Sequence, residues 1–207
     1  MDAPHSRTLL LTGFQAFGGD ALNPTELIAG ELHGKSISGC RVVGVVLPVV
    51  FGKAWLELRD QIQQCQPCAI VCLGLAQNRR GITPERVAIN VVDARIPDNE
   101  GNQPADSPVV VDGPVGYWST LPVGTIARAI AARGIPATVS DTAGTFVCNE
   151  LFYRLMHFLA EEGSNRPAGF IHVPPLPGQF PGGASLSKAE MIEGIWTALA
   201  CCVEAVE

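Results

Sequence analysis

The sequence predicts an α/β fold: an open, largely parallel, twisted sheet with helices on both faces, forming a single domain over residues 1–207. Three observations predict it. Strand-like and helix-like runs alternate along nearly the whole chain, the pattern of a sheet built from strand–helix–strand units. The run CAIVCLG at 68–74 is apolar throughout, as a strand covered on both faces should be. The 207 residues are 47% hydrophobic and 16% charged, which suits one domain with a full core. No internal repeat or linker divides the chain.

Each element has its own signal. RTLLLTG at 7–13 reads as a buried strand ended by glycine. Asn23-Pro24-Thr25 starts a helix, with Pro24 near the first helical position, and that helix runs to about His33. RVVGVVLP at 41–48 is β-branched and reads as a second strand. Residues 52–64 read as a helix with Trp55, Leu56, Leu58 and Ile62 inward. Residues 68–74 form a third strand, and RVAINVVD at 86–93 another. Residues 94–121 are a long irregular stretch rich in Pro, Gly, Asp and Asn, and such connections are often functional. A helix at 122–133 ends at Gly134. A strand at 136–140, a helix at 147–162, a strand at 168–173 and a helix at 187–204 complete the chain.

Composition narrows the function. The net charge is −6 and no run of Lys or Arg interrupts it, which argues against nucleic acid and anionic membranes as partners. The longest apolar stretch, 42–52, is too short to span a bilayer and contains a proline. The N-terminal apolar run is too short for a secretory signal, so a cytoplasmic location is expected. Seven cysteines, an odd number, read as reduced thiols. Cys65 and Cys68 form a C-x-x-C without a second ligand pair and read as core thiols; Cys201 and Cys202 read as helix packing. No compact His/Cys/Asp/Glu cluster is present, so neither metal nor cofactor is expected.

In such a sheet, sites form at the carboxyl ends of parallel strands. GFQAFGG, GLAQNRRGITPE, DTAGTFVCN and the turn after GFIHVP all leave strands at that edge. Cys148 lies where a Thr/Gly loop opens onto a helix. A helix start carries unpaired amides and partial positive charge, which favours a thiolate and can steady an oxyanion. His172 ends a strand 24 residues further on, a spacing that a helix and a return strand fill. A base within reach of a thiol is the basic requirement of cysteine catalysis. Glu85 can hold the second imidazole nitrogen, or instead cap a turn or pair with Arg86.

These stretches resemble the pyroglutamyl-peptidase I (pyrrolidone-carboxylate peptidase) family of cysteine peptidases. The likeness lies in LLTGFQAFGGDALNP, ITPERVAINVVDARIPDNEGNQP, SDTAGTFVCNELFY and GFIHVPPLP, spread from residue 9 to residue 177. The resemblance implies a Cys148–His172–Glu85 triad, with Arg95 helping to steady the oxyanion. It implies that Phe14 and Phe17 line a pocket for a lactam ring, with Asn23, Phe146 and Val147 at further pocket positions. Peptides with an N-terminal pyroglutamate would be the substrates, and assembly as a tetramer or dimer is implied by the same analogy. One departure stands out. Many members have Gly-Gln-Ala-Gly-Gly-Arg where this chain has Gly74-Leu75-Ala76-Gln77-Asn78-Arg79, so Leu75 replaces a polar residue and Gln77 a glycine. A rival reading makes GFQAFGG a phosphate cradle. It lacks the G-x-G-x-x-G and Walker patterns, and its two phenylalanines would crowd a pyrophosphate.

Overall fold

Side-chain alternation along β1 (Arg7–Phe14) sends Leu9 and Leu11 to one face and Leu10 to the other, all fully buried. The computed structural model describes residues 7–180 and 183–205. The first six residues, part of the N-terminal stretch read for a secretory signal, lie outside the described residues.

β1 leads to α1 (Pro24–Leu32), the short β2 (Ser36–Ile37) and β3 (Cys40–Leu47). Then come α2 (Lys53–Cys65), β4 (Ala69–Leu75), β5 (Thr83–Pro84) and β6 (Val87–Ile89). After a long loop follow β7 (Gly116–Trp118), α3 (Val123–Ala131), α4 (Val147–Glu161), β8 (Ala168–Val173) and α5 (Lys188–Glu204). Among the described residues the main sheet has six strands, in the order β2-β3-β1-β4-β8-β5. β3, β1, β4 and β8 are parallel; the short edge strands β2 and β5 run antiparallel to their neighbours. α1, α3 and α5 cover one face and α2 and α4 the other, each against its own apolar cluster.

Local chemistry explains the closest packing. A Cβ on Gly13 would lie 2.1 Å from the Thr25 carbonyl oxygen, so glycine lets β1 pass against the start of α1. Thr25 Oγ1 accepts from the Phe14 amide at 2.9 Å across that contact. Asn23 caps α1 by accepting from the Thr25 amide at 3.1 Å. Ser187 and Glu190 form a reciprocal capping box that starts α5.

The structure corrects three expectations. In α2 the buried stripe is Ala54, Leu58 and Ile62, spaced four apart, and Leu56 is 47% exposed because it falls outside that spacing. Residues 86–93 do not join the main sheet. Only Val87–Ile89 is strand, paired with β7, while the Val92 and Asp93 amides bond to Ser107 and Thr145. Residues 136–140 do not form a continuous strand either. They meet the segment around β5 through two isolated parallel bridges, Ile82 with Ala137 and Glu85 with Ser140. Pro84 sits between those bridges and has no N–H to donate, which breaks the ladder. Among the described residues no helix is long and apolar enough to cross a membrane.

Candidate active site

The register between β4 and β8 places the chemistry. Gly74 is paired with His172, so their side-chain positions share the face that α4 covers. Gly74 has no side chain to fill that space, and Cys148 fills it. A Cβ on Gly74 would lie 2.9 Å from Cys148 Sγ and 2.7 Å from Phe170 Cε1. The sulfur therefore occupies a glycine slot on the strand beside His172, and both residues line one cleft of about 590 Å³.

The carboxylate stands on the other side of the ring. Glu85 follows β5, and its amide donates to the Phe170 carbonyl at 2.9 Å. Its side chain is 0% exposed, and Oε1 accepts from His172 Nδ1 at 2.8 Å. A carboxylate only accepts, so Nδ1 carries the hydrogen and Nε2 is left free to take a proton. Arg86, the other partner open to Glu85 on sequence grounds, pairs instead with Asp141 at 3.2 Å.

α4 has Phe146 at its N-cap and no side-chain cap, so amides of its first turn remain available beside Cys148. Asn149 fixes the helix from behind. It accepts from the Ile89 amide at 3.1 Å and donates to the Ile89 and Val91 carbonyls, both at 2.9 Å. Burial first, then the Glu85 carboxylate and the Cys72 thiol, push the Cys148 thiol up to about 12. Desolvation of the sulfur thus works against the favourable amides of the helix start.

Two compartments meet at the sulfur. One is small, about 10 Å³ and room for about one water, and is lined by Phe14, Phe17, Asn23, Phe146 and Val147 with Val49, Leu75 and Cys148. Asn23 is the one polar non-thiol side chain in it. Its oxygen is used by Thr25, and its Nδ2 donates to the Gln15 carbonyl at 3.0 Å. The second compartment is the larger cleft, where Arg79, Asp93, Arg95 and residues 142–145 add polar walls. Phe17, Leu75 and Phe146 face both, and the Phe17 and Phe146 rings stand 6.2 Å apart.

Arg95 is exposed at the cleft and has no ion pair among the described residues. The loop that carries it is organised by Asp98, which accepts from the amides of Phe51 at 3.0 Å and of Glu100 and Asn102 at 2.9 Å. Asn99 ties the loop to the segment after β1 by donating to the Ala16 carbonyl at 2.9 Å. Gln77 and Leu75, the two departures in the segment after β4, both line the cleft. Sequence reasoning did not single out Gly74, Arg79, Asp93 or Asn149. The only signal for Gly74 was a glycine at the end of an apolar strand, and Arg79 stood inside a quoted motif without a role. Among the described residues no group of three or more His, Cys, Asp or Glu side chains is placed to hold a metal ion.

An α/β sheet edge that brings a thiol and an imidazole to one cleft, with a buried carboxylate holding the imidazole, defines the class of cysteine hydrolases. The pyroglutamyl peptidase family matches residues 7–206, and the chain belongs to that family. It is 50% identical over 192 residues to pyrrolidone-carboxylate peptidase of Bacillus cereus (strain Q1), covering 91% of this chain and 89% of the relative. Among solved structures it is similar to Bacillus amyloliquefaciens pyroglutamyl peptidase I, with a TM-score of 0.94 and 41% identity over 97% of this chain and 98% of that one. It is also similar to pyrrolidone carboxyl peptidase of Pyrococcus furiosus, with a TM-score of 0.93 and 40% identity over 97% and 100% of the two chains.

Proposed function

We propose that this chain is a cysteine exopeptidase that removes N-terminal pyroglutamate from peptides. The observation that carries the reading is the position of Cys148, at the junction of a small uncharged compartment and an open polar cleft. A pyroglutamyl ring is flat and neutral and suits the first, between Phe14, Phe17 and Phe146. An ordinary N-terminal ammonium would enter that compartment without a carboxylate to meet it. The rest of the peptide extends along the second.

The Cys148 thiol is pushed up, so its proton moves as the bond forms. His172 Nε2 takes the Cys148 proton while the sulfur attacks the pyroglutamyl carbonyl. Amides of the first turn of α4, helped by Arg95, steady the oxyanion. Glu85 holds the imidazolium, which then protonates the leaving amine. A thioester remains, and water activated by His172 hydrolyses it. Phe17 or Phe146 must swing aside to admit the ring, because the small compartment holds only about one water.

A chromogenic pyroglutamyl amide, assayed with and without a thiol-blocking reagent, tests the reading. Cys148→Ala and Cys148→Ser are expected to lose at least ~10³-fold in kcat with the fold intact. Turnover surviving in either variant rules Cys148 out as nucleophile. Glu85→Gln should be about 10²-fold less severe, since an orienting group is partly dispensable. The family likeness also supports assembly as a dimer or tetramer in the cytoplasm. Val111, Val115 and Trp118, which are 74%, 89% and 70% exposed, offer apolar surface for such contact.

A further inference from the structure

We infer that Arg79 is a positioning residue of this reaction: it sets the proton affinity of the Glu85–His172 pair, and so the pH at which His172 can take the Cys148 proton. The inference rests on the roles proposed above for those three residues.

Arg79 enters the cleft from the segment after β4. Its Nη2 lies 3.6 Å from Glu85 Oε1, the same oxygen that holds His172 Nδ1 at 2.8 Å. The same nitrogen donates to Ser140 Oγ at 2.7 Å and to the Thr142 carbonyl at 2.9 Å. Arg79 therefore joins the buried acid to the loop that leads into α4. Glu85 needs such a partner. Its carboxylate is fully buried, and Oε2 has no hydrogen-bond partner among the described residues. One imidazole N–H compensates a buried negative charge poorly.

The other charged or titratable groups around the pair are accounted for. Cys148 from α4 and Cys72 from β4 lie on the same face of the sheet. Asp93 and Arg95 line the cleft from the long loop. Arg86, next to Glu85 in the chain, is turned to Asp141. Among the described residues, the ion-pair partners of Glu85 are Arg79 and His172.

Two cations would then share one oxygen. With Arg79 in place, a proton added to the pair brings a second positive charge to an oxygen that already faces one. The pair stays unprotonated to lower pH. Without Arg79 it binds a proton more readily, whichever of the two groups carries it. A protonated pair cannot accept the thiol proton, so activity on the acid side falls away sooner.

The test is the pH dependence of kcat/KM for a chromogenic pyroglutamyl amide, measured on the full chain. Wild type is compared with Arg79→Met, Arg79→Gln and Arg79→Lys, each checked for an intact fold by its melting transition. In both neutral variants the acidic limb is expected to move up by about half to one pH unit, the effect of one partly screened charge at this range. Arg79→Lys is expected to bring it back toward wild type. An acidic limb that stays in place in the neutral variants overturns the inference, even if kcat drops, because a merely structural joint would lower the rate without moving the limb. An equal shift in Arg79→Lys and Arg79→Met also overturns it. Turnover surviving in Cys148→Ala would instead sink the catalytic reading beneath it, so the two failures are distinguishable.

Discussion

The two sides of Cys148 are built differently. On one side Phe14 from β1, Leu75 from β4 and Val147 from α4 share the wall with Phe17, Asn23, Val49 and Phe146 from the connecting segments. It is uncharged and nearly closed. On the other side the wall comes from loops and carries Arg79, Asp93 and Arg95 around an open cleft. The contrast suits a peptidase that recognises one small neutral ring at the end of a peptide.

The sharpest way to break this picture is at the boundary. Gly74→Ala puts a methyl group where Cys148 Sγ and Phe170 now sit, at 2.9 and 2.7 Å. Misplacing a reacting atom by about 1 Å can cost about 10²-fold, so kcat should fall at least that far while KM changes little. Steady-state kinetics decide it, and an unchanged kcat would mean that the slot does not place the sulfur.

A smaller effect tests the closed side. Asn23→Ala removes the cap of α1 and strands the Gln15 carbonyl. Loss of such a cap costs about 1–2 kcal/mol. Because Asn23 also lines the small compartment, KM should rise more than kcat falls. Denaturant unfolding and KM together check this; an unaltered KM would separate that compartment from substrate.

The smallest effect concerns the loop side. Burial alone would raise the Asp98 carboxyl, but hydrogen bonds from Asn102, Phe51 and Glu100 outweigh it and hold the group below its ordinary value. A carboxylate lowered in the fold contributes stability that is complete above the unfolded value, ~3.9, and is lost as pH falls through the folded one. Asp98→Asn should therefore cost ~1–2 kcal/mol at neutral pH and progressively less below about pH 4. Melting curves across that range read it. A constant penalty down to low pH would show that the lost stability is not tied to the Asp98 charge.

Much of the fold was legible locally. The strand expected at 168–173 is β8, Ala168–Val173, because an apolar run bounded by Pro167 and Pro174 allows little else. The start of α1 was legible from Asn23 and Pro24. The edge of the sheet was not. The β-branched run at 86–93 has a strong strand pattern, yet its backbone groups find partners in β7, Ser107 and Thr145. The candidate site residues were named from motif and resemblance, but Arg79 was not. Nothing local distinguishes a guanidinium that reaches a buried acid from one that reaches water.

The sequence by itself determined the alternation of elements, the caps of the first helix, and which residue types were available for acyl transfer. Those properties reside in spacing and side-chain chemistry, which a linear text carries. Only the tertiary structure decided that Gly74 would stand beside His172, that Cys148 would drop into the gap, and that its surroundings would push the thiol up. Strand register and local dielectric depend on what packs across from a residue, and no neighbour in the chain encodes that.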